Sequence, residues 1–252
     1  FAILRLTYFS FGTEFLRGTW AQWVVMTAAM VTIAFGSTMA VREVHWKRRL
    51  AYSTVSNLSY ILFGAALMTP FGLTAALSHL VAHAFMKICA FFCAGAVMHQ
   101  SGKIYIYELD GLGKKMPVTF GCLLISSLSL MGIPLFAGFI SKWNLAQAAF
   151  ESGSRPGLLG VAVILYSALM TGIYMMTVIV RACFPAVAAA AGTSGSGGQE
   201  NLTAGGDETG AVTDPGWMMT LPLVIFAAAI LLIGLHPAPL MRLLTMIGGE
   251  AG

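Results

Sequence analysis

The 252 residues are 58% hydrophobic and only 10% charged, with a net charge of +4 at pH 7 and a mean hydropathy of +0.81. Soluble domains carry about 25% charged residues, so a water-soluble fold is excluded. A nucleic-acid binder is excluded with it, because the basic residues fall between apolar spans, which is a topology signal. The class that remains is an all-α, polytopic transmembrane helix bundle, since helices satisfy their own backbone groups in lipid.

Taken in chain order, residues 1–11 form a partial apolar helix with no basic n-region and no cleavage site, so they are not a signal peptide. The chain is expected to be a fragment whose N-terminal part precedes Phe1. A span over 20–41 follows, then a short basic loop at 42–49, REVHWKRR. The next span, 50–68, opens with a dense polar set: Ser53, Thr54, Ser56, Asn57, Ser59 and Tyr60. These side chains can hold water or bind neighbouring helices.

After a tight turn at 69–70 comes an almost wholly apolar run, 71–97, long enough to cross a bilayer. An amphipathic loop, 98–116, leads to the stretch 117–150. As one helix that stretch would be about 50 Å long, well beyond a hydrocarbon core of about 30 Å. It contains MGIPLFAGFISK. Proline removes a backbone donor and clashes with the preceding turn, and glycine loosens it. A discontinuous helix is expected, broken at Gly132, Pro134 and Gly138.

A further span covers 158–184. Residues 186–216 are rich in Gly, Ser, Thr and Ala and read as a flexible linker. A last span covers 217–236. The domain reading is therefore 1–185 as the main transmembrane unit, 186–216 as linker, and 217–252 as terminal helix and tail. The basic loops at 42–49 and 98–116 fall on one side, which the bias of Lys and Arg assigns to the cytoplasm.

The chemistry lies in three places. His79, His83 and Lys87 are each four residues apart, so they share one face of one helix. Histidine exchanges protons near neutrality, and a lysine at mid-membrane is costly unless it serves a purpose. Snorkelling from there is hard, with the water boundary about 15 Å away. This reads as a proton path. A zinc site is the weaker alternative, because no carboxylate accompanies the two histidines in HLVAH. Lys142 follows the helix break by one turn; it is either a terminal proton carrier or a lysine at a helix end facing water. Lys47 ahead of LAYST is either a carrier or a topology anchor, and Arg48 and Arg49 read as anchors. The cysteines Cys89, Cys93, Cys122 and Cys183 read as small apolar residues. No metal site and no cofactor motif is read from this chain.

Four motifs, in this order, carry a resemblance: KRRLAYSTVSNLSYILFG, HLVAHAFMKICAFFCAGAV, ELDGLGKKMP and SLMGIPLFAGFISKWNL. They resemble the antiporter-like subunits of respiratory complex I and their relatives in multi-subunit Na+/H+ antiporters and energy-converting hydrogenases, over about residues 1–185. The resemblance implies two inverted five-helix repeats, each with one broken helix, of which this chain is the second and the end of the first. It implies that Lys87, His79 and His83 belong to a mid-membrane proton chain, that Lys142 is the ionisable residue after the second break, and that Lys47 is the lysine before LAYST. The acid often found two residues before that lysine is His45 here. The first-repeat lysine and glutamate are absent, so this chain alone is not expected to transport. The expected partners are other membrane subunits and the lipid bilayer of the inner (plasma) membrane. Protons would enter from the cytoplasm, pass along His79, His83 and Lys87, and leave by Lys142. Na+/H+ antiport and a purely structural role are the competing readings.

Overall fold

The computed structural model describes residues 2–184 and 212–249. Most of the expected linker therefore lies outside the described residues. Nine helices order the described chain: α1 (Ala2–Phe11), α2 (Trp20–Arg42), α3 (Trp46–Ala66), α4 (Pro70–Ser101), α5 (Pro117–Met131), α6 (Ala137–Glu151), α7 (Arg155–Cys183), α8 (Trp217–Leu235) and α9 (Ala238–Gly249). Short turns of helix link some of them, and no strand forms among the described residues. The molecule is an all-α membrane bundle.

Four helices, α2, α4, α7 and α8, are long and apolar enough to cross a bilayer. α3 has 21 residues but spends part of that length on its basic start and polar face. Local chemistry sets the ends. Thr69 accepts from the Gly72 amide at 2.9 Å and Pro70 occupies the first helical turn of α4, where its missing N–H costs nothing. α4 stops at Gly102, whose φ of 68° gives the left-handed turn that ends helices. Ser154 caps α7 in the same way, at 3.1 Å from the Gly157 amide.

The two basic loops meet. Trp46 N donates to Ile104 O at 3.2 Å and Ile106 N to Val44 O at 3.1 Å, an isolated antiparallel bridge centred on His45 and Tyr105. Arg49, read from the sequence as an anchor, also has a packing role. It is buried, and its guanidinium donates to Glu43 O at 2.8 Å, Tyr174 O at 2.9 Å and Val41 O at 3.3 Å. It ties the end of α2 and the start of α3 to α7. Arg48, beside it, is exposed and within 3.7 Å of Glu43.

The stretch 117–150 is two half-helices. α5 ends at Gly132 (φ 90°) and α6 begins at Ala137. Pro134 lies between them, with Leu135 at a φ of 81°. Gly138 is already inside α6, so its role differs from the one expected. An added Cβ there would lie 1.8 Å from Ser129 O, and its amide donates to Ser129 Oγ at 3.0 Å. It is a close-packing glycine that lets the second half-helix touch the first. The terminal helices close the bundle. Gly234 of α8 packs on the break itself, where a Cβ would meet Leu135 O at 2.2 Å. α9, which the sequence reading treated as tail, buries Leu244 among Leu4, Leu73 and Leu77.

Candidate functional site: a buried lane across the broken helix

The site is built on α3, α4 and α6. α4 carries His79, His83 and Lys87 along one face, all buried. The rings of His79 and His83 stack at 6.2 Å between centroids. Lys87 Nζ donates to Leu50 O of α3 at 3.0 Å. At the other end, the Tyr60 ring of α3 stands edge-on to His79 at 5.1 Å.

Lys142 is also buried, and it completes the break. Its ammonium donates to Leu130 O at 2.6 Å and Met131 O at 3.3 Å. These are among the last carbonyls of α5, which a helix end leaves without an internal partner. A cation there also meets the negative end of the helix dipole. The same Nζ lies 5.6 Å from the centroid of the Tyr60 ring, within reach of a cation–π attraction. Its chain runs past Gly132, where a Cβ would come within 3.2 Å of Lys142 Cδ.

Lys142 Nζ and the His79 ring thus approach the same Tyr60 ring from two helices, and His83 and Lys87 follow along α4. α4 and α6 pack antiparallel: a Cβ on Gly138, in the first turn of α6, would meet Met86 Sδ at 3.0 Å, and Ser141, a turn on, meets His79. Lys47 lies apart from these groups, exposed on the first turn of α3.

Ser141 holds His79: its Oγ lies 3.0 Å from His79 Nδ1 and 3.1 Å from Gly138 O. When the serine proton goes to Gly138 O, Nδ1 donates and Nε2 is an acceptor; when it goes to Nδ1, the ring nitrogens exchange roles. In both forms Nε2 is buried with no partner among the described residues. His83 Nε2 and Asn57 Oδ1 are buried and unpartnered in the same way. The polar set of α3 that sequence singled out divides by face. Ser56 binds Ser37 at 2.8 Å and Ser167 at 3.2 Å, and Ser53 binds Tyr174, so these hydroxyls join α3 to α2 and α7. Ser141 and Tyr60 are the lane residues whose roles sequence reasoning missed; the only local signal for Ser141 is its place next to Lys142.

A helix broken inside an apolar bundle, with buried lysines and histidines beside the break, is an arrangement common to membrane proteins that carry ions. The comparisons specify the class further. Residues 1–171 match the family described as NADH:quinone oxidoreductase/Mrp antiporter, TM, and the chain belongs to that family. It is 38% identical over 154 residues to the NADH-quinone oxidoreductase subunit N of Desulforudis audaxviator, covering 61% of this chain and 30% of that one. It is 30% identical over 228 residues to the subunit N of Salinispora arenicola, covering 88% and 40%. The chain thus spans well under half the length of these relatives. Among solved structures, the Mrp complex from Dietzia sp. DQ12-45-1b superposes with a TM-score of 0.83 at 26% identity, over 99% of this chain and 50% of that one. That likeness reaches past the stretch carrying the motifs and takes in the terminal helices.

Proposed function

We propose that the chain is part of a proton-translocating membrane subunit of an ion-pumping complex of the NADH:quinone oxidoreductase type, working beside other membrane subunits in the inner membrane. The observation that supports this reading is the gathering of buried groups beside the helix break: Lys142 and His79 against the Tyr60 ring, His83 stacked on His79, and Lys87 one turn further along α4. A lysine at mid-membrane costs about 2.5–3.5 kcal/mol on insertion scales, and two buried lysines accompany the same pair of histidines.

The geometry supplies a way for each station to change state. Lys142 spends two N–H bonds on Leu130 O and Met131 O. A neutral amine still has two N–H groups, so the proton can leave without orphaning either carbonyl. What is lost is the attraction between charge and helix end, about 0.3–1 kcal/mol at exposed ends and more when buried. His79, its ring held by Ser141, offers an Nε2 with no partner among the described residues as the next station. His83 stands one turn on, and Lys87 a turn beyond it. Charge on one station repels charge on the next, which favours handing protons along once a partner drives one end.

The test is Lys87→Ala and Lys142→Ala in the full-length subunit within its complex, reconstituted in vesicles. Each should abolish proton pumping while the complex still assembles. Normal pumping in both would leave a structural subunit as the better reading. The fold likeness to an Mrp complex favours a second reading, a Na+/H+ antiporter subunit using the same lane. Sodium-driven proton exchange without an electron donor would establish it.

A further inference from the structure

The gap between α5 and α6 is closed by a tight turn. Phe136 N donates to Ile133 O at 3.4 Å, Pro134 is the second residue of the turn, and Leu135, the third, has a φ of 81°. This is the pattern of a type II turn, whose second position suits proline and whose third takes glycine by default. A leucine there holds a left-handed backbone at a steric cost. Its side chain is 67% exposed, so burial among the described residues does not offset that cost. Strained backbone persists where its surroundings over-determine it.

The surroundings that fix this turn belong to α8. Leu223, Ala227 and Ile230 are buried along one face of that helix, and Gly234 continues the same stripe. A Cβ on Gly234 would lie 2.2 Å from Leu135 O and 2.7 Å from Phe136 Cα, so the bare backbone of α8 rests on the turn. α8 cannot back away from a larger residue. Its stripe is packed into the core of the bundle, and Asp214, just ahead of it, grips the first amides of α5. The turn can yield, because Ile133, Pro134 and Leu135 are exposed. A methyl group at position 234 would therefore displace the turn rather than the helix.

The turn joins the two parts of the Lys142 site. Ahead of it stand Leu130 O and Met131 O, which accept from Lys142 Nζ at 2.6 and 3.3 Å, and after it comes the helix that carries Lys142. The titratable groups on the packed helices are Tyr60 of α3, whose ring faces that ammonium, and His79, His83 and Lys87 of α4. α8 has no ionisable residue from Trp217 to Leu235, so it acts on the site through backbone position alone. We infer that Gly234 is a positioning residue for Lys142: through it, α8 presses the strained turn into the shape that sets the last carbonyls of α5 against the ammonium of α6. The inference rests on the proton-transfer reading above and extends it to a helix that carries no station.

The experiment compares Gly234→Ala, the same change combined with Leu135→Gly, Gly95→Ala and Lys142→Ala in the full-length subunit within its complex. Proton pumping in vesicles is scaled to the amount of assembled complex and followed against pH. Gly95 has nothing within 4 Å of an added Cβ, and its variant should pump normally. A misplacement of about 1 Å caused far from the chemistry can cost about 100-fold, so Gly234→Ala should lose about tenfold or more in pumping, and its pH profile should shift. Adding Leu135→Gly should restore part of both, because glycine lets the turn bend around the new methyl group. Normal pumping per complex in Gly234→Ala would overturn the inference. A loss with an unchanged pH profile would overturn it too, since that marks a contact that only holds the fold. Normal pumping in Lys142→Ala would instead overturn the reading on which the inference rests. If Gly234→Ala does not assemble, Ile230→Val decides, because it removes one carbon from the same stripe. A shifted pH profile there supports the inference, and an unchanged one sinks it.

Discussion

Gly138 and Lys142 sit one turn apart on α6 and meet the end of α5 by opposite means, one by having no side chain and the other by using all of a long one. A methyl group at Gly138 would overlap Ser129 O, and backbone cannot rotate away as a side chain can. Overpacking of this kind costs about 1–3 kcal/mol. Gly138→Ala should therefore lower the melting temperature of the purified protein, whereas Gly121→Ala on α5, with nothing within 4 Å of the added carbon, should leave it unchanged. Equal melting temperatures for the two variants would refute the close contact. At this scale the titratable residues were legible, because four-residue spacing in an apolar run already places His79, His83 and Lys87 on one face. Ser141 was not, and Tyr60 stood out only as one of a polar set, since each meets His79 across a gap between helices. Arg48 and Arg49 look alike in sequence, yet one is exposed and the other binds three carbonyls. Only the packing of α7 over that turn separates them.

At the scale of elements, the half-helix α5 owes its start to a residue far along the chain. Pro117 has no amide proton, and the next two amides, Val118 and Thr119, donate to the Asp214 carboxylate at 3.1 and 3.0 Å. Thr119 Oγ1 adds a third bond at 2.8 Å. A lost cap costs about 1 kcal/mol, and a carboxylate at this end also complements the dipole. Asp214→Ala should lower thermal stability in detergent, and Asp214→Asn should recover part of the loss by keeping one acceptor. No change in Asp214→Ala would mean that solvent serves these amides equally well. The break after α5 could be anticipated from length and from Gly132 and Pro134. The cap could not, because sequence counts Asp214 as one acid among several in a polar stretch. α9 was missed for another reason: its Leu240, Leu243, Leu244 and Ile247 fall at helical spacing, but the run is too short to span a membrane and was taken as tail.

At the scale of the whole molecule, the alternation of spans predicts that the loops at 42–49 and 98–116 share a side, and their backbone bridge joins them there. The end of α7 reaches the same side, where Gly111 N donates to Arg181 O at 3.4 Å. Lys47 and Lys114 are exposed on that side, and Arg17 and Arg155 are exposed on the other. Lys47→Cys and Lys114→Cys should react with a membrane-impermeant maleimide only from the cytoplasmic face, and Arg17→Cys and Arg155→Cys only from the opposite face. The reverse pattern would invert the assigned orientation. The bundle as a class was legible from composition alone, since so few charges leave no other fold open. The meeting of Lys142 and His79 at the Tyr60 ring was not, because it depends on how α3, α4 and α6 pack.

α8 touches the broken helix at two levels. Asp214, just ahead of it, grips the first amides of α5, and Gly234, near its far end, rests on Leu135 and Phe136. The terminal helix thus acts as a gauge rod laid along the first half-helix, reporting one end of it to the other. Such a rod tolerates changes of side chain on its lipid face far better than changes of residue count. One inserted residue between the two contacts would lengthen it by about 1.5 Å and turn Gly234 by about 100°. A bulkier residue would then press on Leu135 and Phe136, the segment between the carbonyls that hold Lys142 and the helix that carries it.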